Sequence, residues 1–372
     1  MPSARPYFPE ADMPAILDDI KAVLKSGVLT SGPYVEKFEK EFARYLGVKY
    51  AALVNSGTAA LEIALRSLGV GKGDEVIVPT NTFLSSANAV IFAGSKPVLA
   101  DIDADTLCID LNDVRRRITD KTAGVMVVHI AGLVCPQIEE LLDLCEDRGL
   151  FLLEDAAHAH GATFKGRKAG SFGEVGCFSF YPTKVMTTGE GGMVCTDRGD
   201  LFEQFRLLRN HGTSSEGLQV ELGYNWRLSE VNAVLGVYQL GRLEEFVERR
   251  NRVAEMYREG LGDVDGISFF AVPREVRHSY YKFPVKVRSA SVAVALIEKM
   301  RGDYGVELGR VYYPPCHLEP LYMKLFGYGE GVFLVAEEVL SRTVCLPMYV
   351  QMQKNEVEYV IDSLRKALAE LS

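Results

Sequence analysis

Seven short, nearly uninterrupted apolar runs punctuate the chain up to Asp197, and helical patterns separate most of them. They occupy residues 50–56, 75–82, 96–102, 122–132, 151–157, 176–182 and 191–197. Strands without polar alternation are buried on both faces, as in parallel sheets covered by helices. The intervening helical stretches include 58–68, 84–92 and 138–148, the last carrying Ile138, Leu141, Leu142 and Cys145 along one face. This βαβ succession predicts an α/β fold with ligands near the carboxyl ends of the strands. No helix separates the last two runs, so they are expected to form an antiparallel, hairpin-like excursion. A long amphipathic pattern from Ser229 to about Gly260 then leads out of a large domain, expected over 1–248. A smaller C-terminal α/β domain follows over 249–372, with a strand at 282–287 and helices at 292–301 and 355–371.

Apolar residues make up 48% of the 372 and charged residues 24%, enough to fill two cores and inconsistent with disorder. The net charge is −9, from 41 basic against 50 acidic residues, and the basic ones form no stripe. Nucleic acid is therefore not an expected partner. The first residues carry acids and no apolar core, which argues against a signal peptide or a membrane span and for a cytoplasmic protein. Seven cysteines lie scattered without a C-x-x-C pair, which suits buried hydrophobes better than a disulfide framework or a metal site. Asp155, His158 and His160 fall in one short stretch, yet no second cluster completes a metal site, so none is expected.

Chemistry concentrates in a few segments. In VNSGTAALEIALRSLG a strand meets a helix through a tight turn, with Asn55 or Ser56 as cap and Gly57 and Thr58 opening the first turn. Backbone N–H groups and the helix dipole make such a turn an anion site suited to phosphate. The loops G-x-x-x-x-G-K-[ST] and G-x-G-x-x-G are both absent, so triphosphate hydrolysis and dinucleotide binding lose their signatures. Phe83, just past a strand, is expected either to project at the sheet's carboxyl edge, where a ring could stack on a ligand, or to pack in the core. Glu154 and Asp155 end an apolar strand on opposite faces, so only one can serve a buried cation. His158 follows across two alanines. Lys184 sits between Tyr181-Pro182-Thr183 and a Thr- and Gly-rich turn, an odd setting for a merely solvated cation. A carboxylate to charge a pyridine nitrogen and an amine to hold an aldehyde are what pyridoxal 5′-phosphate (PLP) chemistry asks of a protein.

These segments together resemble the DegT/DnrJ/EryC1/StrS sugar aminotransferases, within the fold-type I PLP enzymes. The matching motifs are N-S-G-T-A-A-L from Asn55, E-D-A-A-H-A-H-G from Glu154, S-F-Y-P-T-K from Ser179, T-G-E-G-G-M from Thr188, R-N-H-G from Arg209, G-Y-N-W-R-L from Gly223 and L-P-M-Y from Leu346. Their order spans the chain. The resemblance implies a large domain with a mostly parallel seven-stranded sheet sandwiched by helices. It implies Lys184 as the Schiff-base lysine and Asp155 as the pyridinium partner. It further assigns Gly57, Thr58 and Ser179 to the phosphate and Phe83 to the ring face. The family commonly has Gln where this chain has His158, expected near the cofactor's phenolic oxygen. Asn225 corresponds to a residue that reaches the phosphate across a dimer interface, which implies a homodimer with shared active sites.

By the same resemblance the donor is glutamate or glutamine and the acceptor a keto-sugar, most often linked to a nucleoside diphosphate, in a ping-pong reaction. The segment from Arg310 resembles the part that approaches the sugar-nucleotide, making Arg310, Tyr312 and His317 candidate substrate contacts. Two other readings stand beside this one. PLP-dependent sugar dehydratases of the same family carry His in place of the lysine, and a non-catalytic regulatory role would need no lysine at all.

Overall fold

A computed structural model of the chain describes residues 1–371. The seven runs form one sheet: β1 Tyr50–Val54, β2 Glu75–Pro79, β3 Lys96–Ala100, β4 Thr122–Val128, β5 Phe151–Asp155, β6 Val175–Ser179 and β7 Gly192–Thr196. Their spatial order is β1-β7-β6-β5-β4-β2-β3. All neighbours from β6 to β3 pair in parallel, and β7 runs antiparallel to both β6 and β1. The excursion expected around Lys184 is therefore the β6–β7 hairpin. The fourth run is shorter than its apolar stretch. It stops at Val128 because Ala131 (φ 57°) and Gly132 (φ 100°) turn the chain, and a Cβ on Gly132 would lie 2.5 Å from Ser279 Oγ.

Helices cover the sheet: α1 Met13–Ser26, α2 Pro33–Leu46, α3 Gly57–Ser67, α4 Leu84–Phe92, α5 Leu111–Arg117, α6 Ile138–Arg148 and α7 Gly199–Arg209. In α3 every residue from Ala59 to Leu65 is buried, so its apolar run faces core all round. Ser56 caps this helix by accepting from Ala59 N at 3.1 Å. The long pattern is α8, Glu230–Leu261, capped by Ser229. Glu230 in its first turn accepts from the backbone N–H groups of Gly32, Tyr34 and Val35, tying α8 to the start of α2.

Beyond α8, strands β8 Ile267–Phe269, β9 Phe283–Val287 and β10 Thr343–Leu346 form a separate antiparallel sheet. Helices α9 Ala290–Tyr304 and α12 Lys354–Glu370 cover it around Val285, Leu296, Val344 and Leu364. Between them the chain passes through α10 Pro320–Phe326 and α11 Leu334–Ser341. Here Val311, Tyr322 and Phe333 join the core of the large sheet. The division into 1–248 and 249–372 remains a proposal; α8 runs through its boundary unbroken. Among the described residues no helix is long and apolar enough to cross a membrane.

Candidate active site

The carboxyl ends of β1, β2, β5 and β6 converge on a cavity of about 430 Å³, within the range of small-molecule sites. Asp155, at the end of β5, is nearly buried and lines it. Ser86 Oγ donates to Asp155 Oδ2 at 2.7 Å and Ala157 N to Oδ1 at 3.1 Å. Because Ser86 spends its proton on the carboxylate, the 2.6 Å contact with Thr82 is a bond that Thr82 donates. Glu154 points the other way and is fully buried. Its carboxylate accepts from the backbone N–H groups of Gly170, Phe172 and Gly173 and meets His129 Nε2 at 2.8 Å. The two acids thus divide as strand alternation requires: Glu154 anchors a loop, and Asp155 faces the cavity.

Lys184 enters from the loop after β6, held by a turn in which its N–H donates to Tyr181 O. Its Nζ lies 4.6 Å from the centre of the Tyr281 ring. Burial lowers its pKa to about 8, and the charge of Asp155 opposes that shift. Among the described residues it has no ion-pair partner. Gly57, Thr58 and Ser179 line the same cavity. The first N–H groups of a helix have no intrahelical acceptor, so the start of α3 offers donors there. Gly57 is required by space, because a Cβ would sit 2.7 Å from Ser179 Cβ. Thr58 Oγ1 bonds Ser85 Oγ at 2.8 Å. Phe83 is 54% exposed at the cavity edge, which removes the core-packing alternative.

His158 and Tyr312 form a pair within the cavity wall, with Nε2 and the phenol oxygen 3.0 Å apart. Ala131 N donates to His158 Nδ1, so the imidazole proton sits on Nε2 and is donated to Tyr312. Burial first, then the charges of Lys184 and Lys282, hold the His158 pKa well below its usual value, keeping the ring neutral. Tyr312 keeps its own proton because burial raises its pKa, and that O–H is left to donate toward the cavity.

Two expected substrate contacts lie elsewhere. His317 is wholly buried: its Nδ1 meets Thr80 Oγ1 at 2.7 Å and its Nε2 meets Glu337 Oε1 at 3.0 Å. The ring therefore fastens the end of β2 to α11. Arg310 Nη1 donates to the carbonyls of Leu340 and Ser341 at the end of α11 and of Thr343 at the start of β10, outside the cavity lining. Asn225 is exposed and does not line the cavity, and its carbonyl accepts from Asn55 Nδ2 at 3.4 Å, beside the turn that opens α3. His160 packs against Phe178 and Phe180, and burial lowers its pKa to about 3. All seven cysteines are buried thiols. No group of three or more metal-ligating side chains occurs among the described residues.

Several residues of the site carry no motif. Ser86, buried behind Asp155 rather than in the cavity lining, was within reach, since a small polar residue in the first turn of a helix can bond an acid at a neighbouring strand end. Tyr281 and Lys282 were not. They come from the segment entering β9, and nothing local announces that this distant strand reaches the large sheet.

The architecture is that of the fold-type I enzymes. A profile of the DegT/DnrJ/EryC1/StrS aminotransferase family matches residues 11–365, and the chain belongs to that family. It is 38% identical to the spore coat polysaccharide biosynthesis protein SpsC of Bacillus subtilis, with 98% of each chain covered. It is 35% identical to the GDP-perosamine synthase of Caulobacter vibrioides, over 91% of each. A Streptococcus pneumoniae protein solved in its PLP-form superposes with a TM-score of 0.93 at 28% identity, covering 100% of this chain and 99% of that one.

Proposed function

We propose that this PLP-dependent aminotransferase moves an amino group from glutamate or glutamine to a nucleotide-diphosphate-linked keto-sugar, in amino sugar biosynthesis. The observation that carries the reading is Lys184: an amine lowered to about 8, without an ion pair, in one cavity with Asp155 and the start of α3. The cavity suits the cofactor, because a Cβ on Gly57 would fill the space at the helix start and Asp155 offers a fixed, nearly buried carboxylate. Gly57, Thr58 and Ser179 would hold the phosphate, Phe83 would cover the ring face, and Asp155 would keep the ring nitrogen protonated. When bound, PLP supplies an aldehyde carbon for the Lys184 amine and a ring that accepts electrons from the substrate's Cα.

The chain's own groups do the rest. Lys184, uncharged in a good fraction of molecules near pH 8, takes the proton from the donor Cα and returns one to the acceptor carbon. Ser86 and the Ala157 N–H fix the Asp155 carboxylate at the cavity wall by two hydrogen bonds. His158, neutral and fixed by Ala131, orients the Tyr312 hydroxyl as a donor toward substrate or cofactor oxygen. The reading includes a cytoplasmic homodimer in which the exposed Asn225 serves the partner's site.

Purified protein supplied with PLP should absorb in the visible, and glutamate or glutamine should bleach that absorbance. Lys184→Ala should keep the fold, lack the absorbance and lose turnover by roughly 10⁴-fold or more. Wild-type protein that takes up no PLP would overturn the reading.

A further inference from the structure

Besides Lys184, Lys282 is the other ammonium group lining the cavity among the described residues. Its Nζ lies 4.7 Å from the Tyr312 ring centre and 5.8 Å from that of Tyr281, and it donates to the Arg310 carbonyl. Among the described residues it forms no ion pair. The cavity's two acids do not serve it, since Asp155 is bonded to Ser86 and Ala157, and Glu190 lies on the hairpin turn before β7. A second space, of about 170 Å³, opens between Ser3, Gly309, Cys345 and Met348 and shares Thr183, Tyr281 and Lys282 with the first. Its lining holds no acid. Lys282 therefore stands where the two spaces meet, half-buried, with tyrosine faces and one carbonyl as its company. Tyrosine faces compensate a desolvated ammonium only in part.

Such a cation calls for an anion from the substrate. The phosphate cradle at α3 belongs to another part of the cavity, formed by the ends of β1 and β6. Lys184 and Lys282 lie 4.6 and 5.8 Å from the centre of the same Tyr281 ring, in one cavity lining, so one small substrate can reach both. A diphosphate is held away from a keto carbon by the sugar ring; a carboxylate need not be. We propose that Lys282 binds a substrate carboxylate close to the reacting carbon, carried either by the amino donor or by a uronic acid form of the acceptor sugar. The proposal rests on the amino-transfer reading and names the substrate charge that this site selects.

The test uses PLP-loaded, full-length wild type, Lys282→Met and Lys282→Arg, each first checked for an unchanged cofactor absorbance. If the donor carries the carboxylate, Lys282→Met raises the glutamate concentration for half-maximal bleaching roughly ten- to hundredfold, the scale of one charge-assisted hydrogen bond, and Lys282→Arg restores most of it. If the acceptor carries it, the glutamate response stays unchanged. Wild type then prefers a nucleotide-linked keto-hexuronate to its keto-hexose counterpart, and Lys282→Met erases that preference. An unchanged glutamate response with no carboxylate preference to erase would overturn the proposal while leaving amino transfer intact. Wild-type protein that no amino acid bleaches would overturn both.

Discussion

Burial sets the Lys184 amine apart from an ordinary lysine. In the cofactor-free protein its amine should be modified by an amine reagent with a midpoint near pH 8, against the 10.5 of an ordinary lysine. The shift also fixes a sign in stability. Between about 8 and 10.5 the unfolded chain keeps a proton on this amine that the folded chain has shed, so its contribution to stability rises with pH in that window and is flat outside it. A denaturation series in which Lys184→Met cancels this rise would check it; a rise that persists in the variant would assign it elsewhere. At Gly57 the argument is steric. Gly57→Ala places a methyl 2.7 Å from Ser179 Cβ, and should cost about 1–3 kcal/mol in denaturant unfolding and weaken PLP binding. Unchanged PLP affinity would detach this turn from the phosphate. Residue types were enough to single out Lys184, Asp155 and Gly57, which the fold brings to one cavity. His317 and Arg310 lie outside its lining, and their partners, Glu337 and the α11 carbonyls, lie further along the chain where no local pattern marks them.

Among elements, β5 carries the most consequence per residue. Its alternation sends Asp155 to the cavity and Glu154 into a buried set of three backbone donors and one imidazole. Glu154→Ala strands those donors, and should cost about 3–5 kcal/mol of stability and loosen the 170–173 loop before it touches catalysis. Melting within a degree of wild type would show that the network adds little. All seven strands of the large sheet were legible, because an apolar run bounded by turn residues is a local signal. Strand ends were less so: the run to residue 132 is apolar but for Thr122 and His129, and the turn at Ala131 and Gly132 carries the chain out of the sheet. The hairpin around Lys184 was legible from the missing helix. Packing between distant elements, such as Glu230 against α2 and the return of α10 and α11 to the large core, has no counterpart in periodicity.

At the scale of the whole molecule, the small sheet completes the site, since the segment entering β9 brings Tyr281 and Lys282 to the large sheet's carboxyl edge. If Asn225 acts across a dimer, mixing inactive Lys184→Ala and Asn225→Ala subunits should regain activity, because each hybrid holds one site with both groups intact; no recovery on exchange would remove Asn225 from a shared site. Beneath all of this is the claim that Lys184 is the residue joined to the cofactor. Borohydride treatment of the PLP-loaded protein, followed by digestion and peptide mass spectrometry, tests it most directly. The phosphopyridoxyl mass should appear on the peptide containing Lys184 and vanish after incubation with glutamate; the same mass on another lysine, or on none, would contradict it.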